Sequence, residues 1–247
     1  MSRLLPVCSG RPTLRVGSGF GCGCLGAPGA CEGSSSILFV PSTTVYLIRH
    51  ADVENPRKLL YGHLDGFPLS ALGRRQATEV GRSLRDAGLR RIVHSPLERA
   101  FETATLINAE LPVPVPMEAD GNLREAEFSR YLQGITYWQI PLRRPLWFVH
   151  TARRGLGPGA EAVRDLGGRV LGVARRLVAE HQGEPMACVS HADPLQAVWV
   201  LLEERAHNER EMYRKQVDRA GMLRLEVTEA GRISSWDYRN PPTISSV

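Results

Sequence analysis

Two short apolar runs in this 247-residue chain end on histidine. The run "TVYLI" (44–48) leads into Arg49 and His50, and "MACVS" (186–190) leads into His191. Between them, "SPLERA" (95–100) carries Arg99, and "GNLREAEFS" (121–129) carries Glu125 and Glu127. A guanidinium can hold two phosphate oxygens at once. Its fixed charge also disfavours a proton on a neighbouring imidazole, which leaves a histidine such as His50 neutral and able to attack phosphorus. The attack then needs a carboxylic acid to protonate the leaving oxygen, and "GNLREAEFS" is the candidate stretch. With no evident metal-ligand set beside them, these residue types suit phosphoryl transfer.

Such groups must be held by a frame, and the body of the chain alternates strand-like and helix-like runs from Thr44 onward. That alternation predicts an α/β fold, a three-layer α/β/α sandwich around a mostly parallel central sheet. "TVYLI" reads as the first strand, "RRIVHS" (90–95) as a short second one and "PMACVS" (185–190) as a later one. Ligands of open α/β sheets bind beyond the carboxyl ends of the strands, where His50 and His191 fall. The run 70–88 predicts a helix with Leu72, Val80, Leu84 and Ala87 on its inner face, and 160–181 a longer one with Val163, Leu166, Val170, Val173 and Leu177 inward. Ser95 with Pro96 and Glu98, and Asp193 with Pro194 and Gln196, both read as capped helix starts. Arg99 is slightly adverse to the dipole of the helix it opens, so its place suggests another job. "PVPVPM" (112–117) is extended and unsuited to a central strand, and 222–238 predicts a terminal β-hairpin.

The chain is long enough for one full α/β domain, assigned to residues 44–240 with a tail at 241–247. Residues 1–43 form a Gly/Ser/Cys-rich leader expected to be disordered, with Cys8, Cys22, Cys24 and Cys31 at no common zinc spacing. Their confinement to the leader argues for a reducing, cytoplasmic setting rather than a disulfide-built fold. A net charge of +5 is too mild and scattered for a nucleic-acid surface, and no window approaches a membrane span. A small anionic partner remains compatible.

At these motifs the chain resembles the histidine phosphatase superfamily, which includes the cofactor-dependent phosphoglycerate mutases. "LIRHADVEN" (47–55) is similar to its R-H-G signature, and "YGHLDGFPLSALGRRQA" (61–77) to its G-x-x-D-x-P-L segment. "SPLERA" matches its S-P-L-x-R-A, "LREAEFSRYLQG" (123–134) its L-x-E-x-x-F pattern, and "VSHADP" (189–194) the place of its second histidine. The resemblance implies a phosphohistidine on His50, with Glu125 as proton donor and then as base. It implies that Arg49, Arg99 and His191 hold the phosphoryl oxygens and that Asn55 contacts phosphate. It implies no metal, no cofactor and a small phosphorylated substrate, while charge and hydropathy already speak for no nucleic-acid and no membrane partner.

The sequence departs from the pattern at several places. Ala51 replaces a glycine, Asn55 stands one residue nearer His50, Ser129 replaces a glycine, and Glu161 lacks the serine that usually follows it. Ala192 and Asp193 replace two small residues, and the cap reading gives Asp193 a structural job. "DVEN" lacks the tryptophan of the mutases, which favours a hydrolase; mutase-like transfer and a silent phosphate binder stay open. The segment 135–157 should cover the site, with Arg143, Arg144, Arg153 and Arg154 as a solvated loop or a grip on a second anion. His63 lies in the loop after the first strand, and His94 reads as a core residue.

Overall fold

The first strand, β1, spans Ser42–Arg49; its buried run Val45–Ile48 is followed by half-buried Arg49 and then buried His50. Val45 and Leu47 pack into one apolar cluster, Tyr46 and Ile48 into another, so β1 is covered on both faces. The structure, a computed structural model, describes residues 41–127, 133–139, 142 and 161–244. The leader cysteines, Ser129, and Arg143, Arg144, Arg153 and Arg154 of the expected cover lie outside the described residues. The described residues from 41 onward belong to one compact unit.

Five further strands complete the sheet: β2 Arg91–His94, β3 Met117–Ala119, β4 Met186–Ser190, β5 Met222–Thr228 and β6 Ile233–Arg239. Their order is β3-β2-β4-β1-β5-β6. The strands β1, β2, β3 and β4 run parallel, while the hairpin β5–β6 joins β1 antiparallel. The proline-flanked β3 takes an edge, where a missing N–H costs no ladder bond. Helices α1 (Ala71–Ser83) and α2 (Glu98–Glu110) supply Ala77, Val80, Ala100, Ala104 and Ile107 to the cluster with Tyr46 and Ile48. Helices α3 (Val163–Glu180) and α4 (Ala192–Leu202) supply Val170, Leu177, Leu195 and Val198 to the opposite cluster. A short α5 (Glu209–Met212) follows. Helices therefore cover both faces, as expected, and none among the described residues is long and apolar enough to cross a membrane.

Three local expectations need correction. Leu72 is exposed, because the inward stripe of α1 runs through Gly73, Ala77, Val80 and Leu84. Eight residues at 3.6 per turn put Leu72 about 80° away from Val80. Helix α2 starts at Glu98, with Leu97 at its N-cap and no side-chain cap. Ser95 caps no N–H within the helix: its hydroxyl accepts from Leu97 N–H at 3.4 Å and lies 2.7 Å from His191 Nε2. Helix α4 starts at Ala192 with His191 as N-cap, so Asp193 lies inside the first turn and caps nothing.

Gly73, at the head of α1, sets how closely that helix approaches the loop after β1. A Cβ there would sit 1.9 Å from the carbonyl oxygen of Asp52. The glycine therefore lets α1 close against the loop. Ser70 N–H and Asp52 N–H bond to Asp52 O and Gln76 Oε1, and Ser70 Oγ donates to Asp52 Oδ2 at 2.5 Å.

Candidate active site

Parallel pairing brings the two histidines together. Arg49 is opposite Ser190 in the β1–β4 register, so the next residue of each strand, His50 and His191, fall side by side. Their ring centroids are 5.1 Å apart, and His50 N–H donates to Ser190 O at 2.9 Å. On the other side of β4, His94 pairs with Val189, and Ser95 N–H donates to Val189 O. The turn after β2 thus carries Ser95 and Arg99 to the same edge. Three adjacent strand ends supply the groups, as expected for a ligand beyond the carboxyl ends of a parallel sheet.

His50 is buried, and its Nδ1 lies 2.8 Å from the carbonyl oxygen of Ala51. A carbonyl only accepts, so Nδ1 carries the hydrogen and Nε2 keeps its lone pair. Arg99 Nε donates toward that nitrogen at 3.3 Å. Burial first, then the charges of Arg99 and Arg49, hold the imidazole well below its usual pKa. The residue is a neutral base with its free nitrogen turned toward cations.

Arg99 is itself buried, with Nη2 donating to Gly62 O at 2.8 Å and the guanidinium 4.7 Å from the Tyr61 ring centroid. Thr103 Oγ1 donates to Arg99 O and accepts from Ala51 N–H, which ties α2 to the loop after His50. Arg49 Nη1 donates to Val217 O at 2.6 Å, and its Nε has no partner among the described residues. His191 approaches Ser95 Oγ through Nε2, while its buried Nδ1 has no partner among the described residues. Burial, then Arg99, hold its pKa well down as well.

Of the acids near the "GNLREAEFS" turn, Glu125 alone is buried. Glu118 faces Arg91, Asp120 pairs with Arg176 at 2.8 Å, and Glu127 is exposed. Glu125 Oε1 accepts from Ala126 N–H at 3.0 Å and Asp193 N–H at 3.3 Å. Burial raises its pKa above the ordinary carboxylate value, against the pull of Arg99 and Arg49. The neighbouring Asp193 carboxyl is pushed up to about 8, by burial and then by Glu125, and accepts from Tyr213 Oη at 3.1 Å. Two buried carboxyls beside each other share the difficulty of ionising, so this corner retains a proton near neutrality.

Asn55 Nδ2 donates to Leu59 O and its Oδ1 accepts from Leu59 N–H, so the carboxamide braces its own loop, and its second Nδ2–H has no partner among the described residues. His63 does come to the site, with Nε2 2.8 Å from Glu125 O. His94 is satisfied by Ser95 O and packs on Phe101.

Sequence reasoning missed Arg169. From α3 it donates to the carbonyls of Asn122, Arg124 and Glu125 and pairs with Glu161, so it straps the loop that carries the acid. This gives Glu161 its role without a following serine. Nothing in the helical periodicity separates Arg169 from a solvated arginine. Its carbonyl partners lie more than 40 residues away.

Comparison with known proteins agrees with this geometry. Residues 45–237 match the family model for the histidine phosphatase superfamily (branch 1). The chain is 31% identical over 152 residues to a probable phosphoglycerate mutase, GpmB, of Salmonella paratyphi B, covering 60% of this chain and 68% of that one. It superposes on Bacillus stearothermophilus YhfR with a TM-score of 0.68 at 25% identity, over 77% of this chain and 94% of that one. It is similar to mycobacterial glucosyl-3-phosphoglycerate phosphatase in complex with inorganic phosphate, with a TM-score of 0.62, 25% identity and coverage of 80% and 95%.

Proposed function

The chain belongs to the histidine phosphatase superfamily, and we propose that it hydrolyses small phosphomonoesters through a phosphohistidine on His50, without a metal. The observation that carries this reading is the state of His50. Its Nδ1–H is spent on Ala51 O, its unprotonated Nε2 accepts only from Arg99 Nε among the described residues, and burial, then Arg99 and Arg49, keep a proton off the ring.

In the first step His50 Nε2 attacks phosphorus, the N–P bond forms and the P–O ester bond breaks. The departing oxygen takes the proton of the Glu125 carboxyl, whose burial favours the protonated form. Arg99 Nε moves its hydrogen bond from His50 to a phosphoryl oxygen, and Arg49 takes another. If the Ser95 hydroxyl donates to His191 Nε2, Nδ1 of that ring carries hydrogen and donates to the phosphoryl group. Asn55 contributes at most its one spare N–H. In the second step the Glu125 carboxylate takes a proton from water, the oxygen attacks phosphorus and the N–P bond breaks. Inorganic phosphate leaves, and both residues return to their starting protonation. We place this chemistry in the cytoplasm.

The test is hydrolysis of p-nitrophenyl phosphate in EDTA, wild type beside His50→Ala. Turnover should persist in EDTA and vanish with His50, and an acid-labile phosphoryl group should be trapped on the wild type alone. Turnover that survives His50→Ala would refute the reading. The similarity to a probable phosphoglycerate mutase favours one alternative, transfer back to substrate rather than to water. Phosphate exchange between phosphoglycerates that outpaces release of inorganic phosphate would select it.

A further inference from the structure

Beside the site, the turn 217–221 just before β5 carries a residue that neither step of the hydrolysis uses. Its ends are clamped to the nucleophile strand. Val217 O accepts from Arg49 Nη1, Gly221 O from Arg49 N–H, and His50 O from Ala220 N–H at 3.4 Å. Tyr238 holds the middle, accepting from Asp218 N–H and donating to Asp218 Oδ2, each at 3.0 Å. Ala220 is buried with φ +62°, a left-handed conformation that a residue with a Cβ adopts only where its surroundings impose it. The strained, clamped turn presents Arg219.

Arg219 forms an ion pair with Asp52 in the loop after His50, yet its side chain stays 43% exposed. It stands close enough to Arg49 and His50 to act on both by charge. A guanidinium has five N–H donors, and Asp52 is the one partner of Arg219 among the described residues. In front lies a cleft of about 470 Å³ lined by Arg49, Gln76, Gln216, Asp218, Arg219 and Pro241. Gln76 spends its Oε1 on Asp52 N–H, and its amide nitrogen has no partner among the described residues. Asp218 is engaged by Tyr238, and Asp52 is the counter-ion that positions Arg219. Two arginines and two carboxamides therefore line a cleft that opens from the edge where phosphate would bind.

We infer that this cleft is a subsite for a second anionic group on the substrate, gripped by Arg219 with Gln76, so that the enzyme selects phosphomonoesters whose leaving group carries a carboxylate or a further phosphate. The inference rests on the phosphatase reading and adds to it the part of the substrate that selects. Arg49 lines the cleft and also belongs to the phosphate site, so a substrate with two anionic groups can reach both regions at once. Remote binding energy spent there orients the ester for attack.

The probes are phenyl phosphate and 3-carboxyphenyl phosphate, whose leaving groups differ by one carboxylate. For the wild type, kcat/KM should favour the carboxylated ester by roughly 10- to 100-fold, the range of a charge-assisted hydrogen bond. Arg219→Gln should collapse the ratio and Arg219→Lys should keep most of it. Gln76→Glu retains the acceptor for Asp52 N–H while adding a negative charge, and should also collapse the ratio, which covers a failure of Arg219→Gln to fold. A wild-type ratio near one, or a ratio indifferent to Arg219→Gln, would overturn the subsite and leave the phosphatase reading standing. Equal losses on both esters would place Arg219 on the transferred phosphoryl group instead, which also overturns it. Titration calorimetry of His50→Ala with the two esters reads the same preference as a ratio of Kd without turnover. A chain that hydrolyses neither ester still has its subsite judged.

Discussion

Replacing Glu125 by glutamine removes a proton and changes almost nothing else. Glu125 Oε1 accepts from two backbone N–H groups, Ala126 and Asp193, and a glutamine carbonyl oxygen can accept both. The residue is buried within a loop that Arg169 straps through three carbonyls, so the isosteric side chain keeps its place. What is lost is general acid catalysis, worth roughly 100- to 10,000-fold, or about 2.7–5.4 kcal/mol of barrier. The loss should depend on the leaving group. An alkyl phosphate such as glycerol 2-phosphate needs its oxygen protonated as it departs and should show the full effect on kcat/KM. p-Nitrophenolate leaves without help, so the same variant should lose no more than about 10-fold in forming the phosphohistidine. The assay is kcat/KM for both esters at pH 6.5, with single-turnover rates to separate the first step from release of phosphate. Equal losses on the two esters would remove Glu125 from the acid role. Full activity on the alkyl ester would move that role to another group.

Four more outcomes rest on the same geometry. Arg169→Met should cut kcat on the alkyl ester by roughly 10- to 100-fold through a displaced Glu125 loop, and Arg169→Lys should restore part of it; a variant with wild-type kcat would mean that Glu161 and the loop hold themselves. Gly73→Ala puts a Cβ 1.9 Å from Asp52 O, and it should cost about 3 kcal/mol of stability. For a chain of this size that is a fall in Tm of roughly 6–12 °C; an unchanged melt would refute the close approach. Asp193 has its pKa raised to about 8 in the folded chain. A raised value stabilises fully below the unfolded pKa and is lost as pH rises toward 8. Urea melts at pH 5 and pH 8 should therefore show the wild type losing more stability over that rise than Asp193→Asn, and parallel behaviour would refute it. His50 and His191 have lowered values, so the unfolded chain takes up protons that the folded one refuses as pH falls below about 6.5. Stability should fall in that window, and less so in His191→Gln.

The residues of the site were largely legible because each sits at the end of an element whose pattern is local. An apolar run that stops on Arg49–His50 or on His191 announces a strand end, and the period of Val163, Leu166, Val170, Val173 and Leu177 announces the buried side of α3. Chemistry is carried by residue type and order along the chain, and one strand or helix is enough to define it. What tertiary structure decided was partnership. The β1–β4 register sets His50 beside His191, and Ser95 leaves its helix cap for His191 once β2 lies against β4. Asp193 becomes a buried acid under Tyr213 rather than a cap, because α4 begins one residue after His191. Asn55 turns its carboxamide onto Leu59, and Arg169 and Arg219 find loops far away in sequence. Local pattern records which face of an element is apolar. It holds no record of which distant carbonyl or carboxylate will meet a charged side chain, because the folded path of the whole chain sets that distance.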